Sequence, residues 1–158
     1  MNFLVVSGAP NTGKTTAVNF ISEWICNRHN ITSDINGNPL PAFHSIVNGR
    51  VIDISFVINI HGRIVIIHSA TDDRNLMDVL TNLIKSYPNA DTVITTCRDI
   101  NWERIYFTNN IRPFATNYIE SPLAKVTRRI NSISATNWYQ STLLNLHQHI
   151  LINNPFSF

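Results

Sequence analysis

Charge is scarce in this 158-residue chain: Asp, Glu, Lys and Arg together make up 14% of it, and the formal net charge is only +2. So small a basic balance does not point to a nucleic-acid partner. With 44% apolar residues an intrinsically disordered chain is excluded as well, and Asn, Ser and Thr must keep the surface in water. There are two cysteines, Cys26 and Cys97, without C-x-x-C spacing, and only Cys26 has a histidine close by, His29. One such pair does not make a metal site, and two separated thiols fit reduced, buried cysteines of a cytosolic protein. The six histidines are scattered; His147 and His149, two apart, face different sides of a helix and do not form a ligand pair.

No apolar run is long enough to span a membrane, because the most apolar stretch, Val51 to Ala70, is interrupted by Asp53, His61, Gly62, Arg63 and His68. The first residues lead straight into an apolar strand, which leaves no room for a signal peptide. A cytoplasmic protein without a membrane partner is therefore expected. Heptads, low-complexity tracts and internal repeats are missing too, and the length suits one domain spanning residues 1–158.

Glycine is also sparse, five residues in all, yet two of them bracket one short turn. Phe3-Leu-Val-Val-Ser-Gly8-Ala9-Pro10-Asn11-Thr12-Gly13-Lys14-Thr15-Thr16 reads as an apolar strand, a tight loop and a helix start, and it matches G-x-x-x-x-G-K-[ST] in full. Without Cβ atoms at Gly8 and Gly13, the intervening backbone can curl with successive N–H groups pointing inward, which forms a nest for an anion. Lys14 brings a charge to the β/γ-phosphates and Thr15 a hydroxyl to Mg²⁺. The helix beginning near Gly13 adds the positive end of its dipole. Val18, Ile21 and Ile25, with Phe20 and Trp24 beside them, give that helix an apolar face.

Through residues 3 to about 28 the chain resembles the P-loop NTPase superfamily. The resemblance implies a three-layer α/β/α domain with a mostly parallel central sheet, a nucleoside triphosphate (ATP in the first place) as substrate, and Mg²⁺. Its phosphate site would be Gly8 to Thr16, with Lys14 also serving catalysis and Thr15 the metal. A clean second nucleotide motif, four apolar residues followed at once by Asp, is missing. So are Asn-Lys-x-Asp and the Asp-Glu pair of motor-type ATPases, which takes weight from the GTPase and motor branches.

After the first helix, which should end near residues 27–30, Ile31 to His44 carries Ser33-Asp34, Asn36-Gly37-Asn38, Pro39 and Pro41 and reads as a loop. Loops this long are usually functional. Its one acid, Asp34, suits an Asx-type turn. Arg50 to Ile60 and Ile64 to Ile67, separated by His61-Gly62-Arg63, read as a hairpin whose first arm lies antiparallel at a sheet edge. The second arm runs into His68-Ser69-Ala70-Thr71-Asp72-Asp73, at the strand end that faces the ligand crevice in open α/β sheets. Asp72 and Asp73 are candidates there for Mg²⁺ or general-base work. The alternative is that one of them caps the helix carrying Leu76, Val79, Leu80 and Leu83.

Asp91 to Cys97 is a further strand, ending in Arg98-Asp99, and Ile100 to Asn109 a short helix. Ala115 to Ile119 is a strand, Glu120-Ser121-Pro122 a turn, and Leu123 to Arg129 the start of a helix. A last helix runs from about Ala135 to Ile152. This order is similar to the P-loop branch that phosphorylates nucleotides or small metabolites. By that resemblance Arg98 would hold a small anionic acceptor, and Arg128 with Arg129 would form a lid gripping the phosphates; the alternative for the pair is a solvated helix face. Phosphoryl transfer to such an acceptor is the expected activity. A hydrolysing switch with Ile31 to His44 as its moving part, or a non-catalytic nucleotide sensor or assembly subunit, are the competing readings.

Overall fold

The computed structural model describes residues 1–99, 101–124 and 132–158. In chain order the elements are β1 (Asn2–Ser7), α1 (Lys14–Arg28), β2 (Ile46–Val47), β3 (Arg50–Val51), β4 (Ser55–Ile60) and β5 (Arg63–His68). They are followed by α2 (Arg74–Ser86), β6 (Thr92–Cys97), α3 (Asn101–Asn110), β7 (Asn117–Pro122) and α4 (Ser132–Ile152). Five strands form one mixed sheet in the order β4-β5-β6-β1-β7, and β2 and β3 pair separately. Within the large sheet β5, β6, β1 and β7 are parallel, and β4 lies antiparallel on β5 at the edge. This is an α/β fold with a mostly parallel sheet.

β1 lies between β6 and β7, and Phe3, Leu4, Val5 and Val6 are all fully buried. A strand covered on both faces has no use for polar alternation, which explains its unbroken apolar run. Leu4 and Val6 pack with Ala17, Val18, Ile21 and Ile25 of α1 and with Leu143 and Leu151 of α4. Phe3 and Val5 pack with Met77, Leu80 and Ile84 of α2 and Phe107 of α3. Each such side chain taken from water contributes roughly 1.5–3 kcal/mol. Helices α1 and α4 thus pack on one face of β1, and α2 and α3 on the other.

Two segments differ from the sequence expectation. Glu120-Ser121-Pro122 is not a turn: it extends β7, with Val5 opposite Glu120 and Ser7 opposite Pro122. Pairing with β1 overrides the low strand propensity of these residues, and Pro122 is tolerated because β7 is an edge strand at its last residue. The arm expected from Arg50 to Ile60 is broken at residues 52–54. Its first part forms β3, which pairs with β2 across Asn48 (φ 50°) and Gly49 (φ 73°), the left-handed pair that a two-residue hairpin turn requires. The helix start expected over Leu123 to Arg129 falls largely outside the described residues. Among the described residues no helix is long and apolar enough to cross a membrane.

Candidate functional site

At the carboxyl end of β1 the chain turns through Gly8 (φ 153°) and enters α1 through Gly13 (φ 91°), both in the region that favours glycine. A Cβ on Gly8 would stand 2.8 Å from Thr12 Oγ1 and 3.2 Å from the Leu123 carbonyl oxygen; one on Gly13 would stand 2.9 Å from Gln140 Nε2. Gly13 is the residue before the helix, and having no side chain it gives α1 no side-chain cap. Its first-turn N–H groups are therefore left for another acceptor, at the positive end of the helix dipole.

Lys14 is only 7% exposed, and its ammonium donates to the carbonyl oxygens of Gly8 and Ala9, both at 3.1 Å. Thr12 Oγ1 donates to the same Ala9 oxygen at 2.9 Å. Burial lowers the Lys14 pKa, opposed by the nearby Asp72 carboxylate. An anion placed in the loop would face a cation that is already desolvated, and opposite charges attract most strongly under that condition.

Among the described residues, the acid hydrogen-bonded to the start of α1 is one that the motif did not point to. Thr15 Oγ1 donates to Asp53 Oδ1 at 2.8 Å, and Ser69 Oγ donates to the same oxygen at 2.8 Å. Asp53 is exposed yet fixed from two sides. Ser69, just past β5, accepts the Ile54 N–H on its hydroxyl at 3.0 Å and donates its own N–H to the Ile54 carbonyl at 2.9 Å. On the other side Asn19 Nδ2 donates to the Thr15 and Ile52 carbonyls at 2.9 and 3.4 Å, while its oxygen accepts the His44 N–H at 3.0 Å. The long loop from residue 31 to 44 is itself ordered by the Asp34 carboxylate. That carboxylate accepts the N–H groups of Asn36 and Asn38, each at 2.8 Å, so Asp34 serves as a turn residue.

Asp72 and Asp73 part ways beyond β5. Asp73 accepts the Leu76 N–H at 3.0 Å and is the cap of α2. Asp72 lines the same cleft as residues 11–16 and accepts Arg98 Nε at 3.1 Å. Arg98 Nη1 also donates to Glu103 Oε1 at 2.7 Å, and Glu103 is buried. Arg98 thus sits between two carboxylates rather than facing the cleft alone. The other arginines of the second half are similarly engaged: Arg104 bonds Glu120 through both its terminal nitrogens at 2.8 and 2.7 Å, and Arg112 lies over the Tyr118 ring. Arg128 and Arg129 lie outside the described residues.

A cleft of about 990 Å³ joins these parts. Along it lie Asn11 to Thr16, the β2–β3 hairpin at Gly49 to Val51, Asp53, Ser69 and Asp72, with Phe20 of α1 and Tyr139, Gln140 and Leu144 of α4 opposite. Among the described residues no three His, Cys, Asp or Glu side chains gather to hold a metal by themselves. The Thr15 hydroxyl, Asp53 carboxylate and Ser69 hydroxyl form instead a set of hard oxygen donors, the ligand type that Mg²⁺ takes in small number while keeping water and phosphate oxygens around it. Comparison with protein-family models, curated proteins and solved structures finds no match for this chain.

Proposed function

We propose that this chain is a three-layer P-loop domain that binds a Mg²⁺-nucleoside triphosphate, ATP in the first place, and passes its terminal phosphoryl group to a small anionic acceptor. The observation that carries this reading is the uncapped start of α1. There a loop bracketed by two positive-φ glycines leads into the helix beside a buried lysine, and the N-cap Gly13 offers no side-chain cap. In this reading Lys14 leaves the Gly8 and Ala9 carbonyls for the β/γ-phosphates, and the loop N–H groups hold the remaining oxygens. Thr15 and Asp53, with Ser69 behind them, would hold Mg²⁺, which when bound spreads the charge of the phosphates. Asp72, at the cleft and tied to Arg98, is the residue placed to orient an acceptor or a water.

Hydrolysis is the second reading. It is favoured by the origin of Asp53, which follows directly on the long loop and the β2–β3 hairpin, so that metal binding would report on the conformation of that segment. A turnover assay with and without candidate acceptors separates transfer from hydrolysis. Titration calorimetry on Lys14→Ala tests the shared premise. Loss of two charge-assisted contacts, at about 1.5–3 kcal/mol each, should weaken MgATP about 100-fold or more while the fold persists. Unchanged affinity in a folded variant would remove Lys14 from the phosphate site.

A further inference from the structure

Among the described residues one arginine differs from the others. Arg28, Arg74 and Arg112 lie over aromatic rings, and Arg63, Arg98 and Arg104 bond carboxylates. Arg50 does neither among the described residues, yet it lines the cleft, directly after the hairpin turn at Asn48 and Gly49. The carboxylates along the cleft are engaged elsewhere: Asp53 accepts the Thr15 and Ser69 hydroxyls, and Asp72 accepts Arg98. An exposed arginine on a loose loop would mean little, but this one is carried on a braced arm. One fully buried side chain ties both roots of the β2–β3 hairpin to α1: Asn19 accepts the His44 N–H at 3.0 Å before the hairpin and donates to the Ile52 carbonyl at 3.4 Å after it. The roots are also tied to each other, since the Ile52 N–H donates to the Ser45 carbonyl at 2.9 Å. His44 Nε2 lies 3.2 Å from Glu23 Oε2 of α1, and its ring packs against Phe20 with centroids 4.2 Å apart. The hairpin is thus fixed to the same helix that begins at Gly13.

We propose that Arg50 binds the anionic group of the acceptor, and that the hairpin wall of the cleft is the acceptor's site. The proposal rests on the triphosphate reading above and adds where the acceptor sits and which residue recognises it. In that reading Lys14, the loop N–H groups and Mg²⁺ already oppose the charge of the triphosphate, so a further cation on a separate element is matched to a second anion. The planar guanidinium fork fits a phosphate monoester or a carboxylate through two parallel hydrogen bonds. Arg50 gives up no internal ion pair when such a ligand arrives, whereas Arg98 would have to release Asp72 and Glu103. Phe20 and Val51 line the same cleft and offer apolar surface to the body of the ligand.

The test is calorimetry on the whole chain with Mg²⁺ and the non-hydrolysable analogue AMP-PNP, with phenyl phosphate and benzoate as probes for the second anion. Wild type saturated with Mg²⁺-AMP-PNP should bind at least one probe, and the one it prefers gives the anion class of the acceptor. Arg50 is exposed, so its replacement leaves the fold in place. Arg50→Gln should weaken the preferred probe about tenfold or more, and Arg50→Lys less, because lysine keeps the charge and loses the fork. AMP-PNP affinity should stay within about twofold in both, as expected of a residue that does not touch the triphosphate. If wild type binds AMP-PNP but neither probe, the acceptor site is overturned and the triphosphate reading stands. A probe held equally well by Arg50→Gln overturns the assignment to Arg50. Loss of AMP-PNP affinity in Arg50→Gln, whatever the probe does, gives Arg50 to the triphosphate and overturns the proposal too. If AMP-PNP does not bind wild type, the triphosphate reading fails first and this proposal falls with it.

Discussion

Of the helices that follow the carboxyl ends of parallel strands, α1 and α2 have first turns finished in opposite ways. α2 follows β5 and is closed by the protein itself: Asp73 accepts the Leu76 N–H, and His68, buried behind it, donates Nε2–H to the carbonyls of Ala70 and Leu76 while Nδ1 accepts from Ser55. α1 follows β1, with a glycine where α2 has its aspartate, and among the described residues its buried lysine bonds only loop carbonyls. The difference separates a helix end that the protein closes with its own carboxylate from one whose N-cap glycine offers no side chain. A polar group satisfied internally contributes to stability everywhere, whereas one left open contributes when its partner arrives.

The largest disturbance should come from forcing a side chain into the open end. Gly13→Ala needs a left-handed backbone, at a cost of roughly 1–2 kcal/mol for a residue with a Cβ, and its methyl would meet Gln140 Nε2 at 2.9 Å. We expect a lower urea midpoint together with loss of most MgATP affinity. Affinity like that of wild type would show that the open end is not where the phosphates sit.

Acid separates the two ends by another route. His147 of α4 is fully buried, with its Nε2 at 2.8 Å from Ser121 Oγ of β7, and burial lowers its pKa to about 4; burial lowers the pKa of His68 as well. Each folded-state pKa lies below the unfolded value near 6.5, so the unfolded chain binds more protons over this window. Stability is then full above pH 6.5 and falls as pH drops toward 4. For His147 alone the loss between pH 7.5 and 5 is about 2 kcal/mol. Urea unfolding at the two pH values checks it, and in His147→Gln that share of the loss should vanish. A flat profile in wild type would mean that these imidazoles are not held neutral by burial.

What could be read from the chain alone follows the range of the forces involved. β1, α1, β5 and β6 were legible because continuous burial or helical periodicity marks them locally. The glycine-bracketed turn into α1 was legible because its glycines and lysine are adjacent in sequence. Asp53 was not legible as a site residue, since its neighbours in the cleft, Thr15 and Ser69, are 38 and 16 positions away. One signal was present. β4 is antiparallel, so its amino end lies where the parallel strands have their carboxyl ends, and the residue before it belongs in a search for crevice residues as much as those after β5. The pairing of Arg98 with Asp72, 26 positions away, and the extension of β7 through Pro122 likewise depend on tertiary pairing that no local pattern announces.

Asp53 and Asp72 offer a sharper form of the comparison, because both carboxylates reach the cleft of the open helix. Asp53→Asn keeps the shape and removes the charge beside Thr15. It should weaken MgATP about tenfold, near the lower limit for a hydrogen bond to a charged group, and should leave Mg²⁺-free ATP unaffected. Asp72→Asn should change Mg²⁺ dependence less, since that carboxylate is already paired with Arg98. If Asp72→Asn loses the Mg²⁺ dependence and Asp53→Asn keeps it, the metal-side acid is Asp72.

The smallest effect belongs to the closed end. Asp73→Ala removes the acceptor for the Leu76 N–H, and losing a helix cap typically costs about 1 kcal/mol. The side chain is exposed, so water can partly replace the carboxylate, and Met77 N–H keeps its bond to the Asp73 carbonyl at 3.1 Å. Asp73→Asn should cost less, because an amide oxygen still caps. Neither variant should alter MgATP affinity. That pattern, stability lost in the order Ala then Asn with ligand binding untouched, is what a capping residue produces and what a metal or base residue does not. A fall in nucleotide affinity in Asp73→Asn with unfolding unchanged would reverse the contrast between the two helix ends and return Asp73 to the chemistry of the cleft.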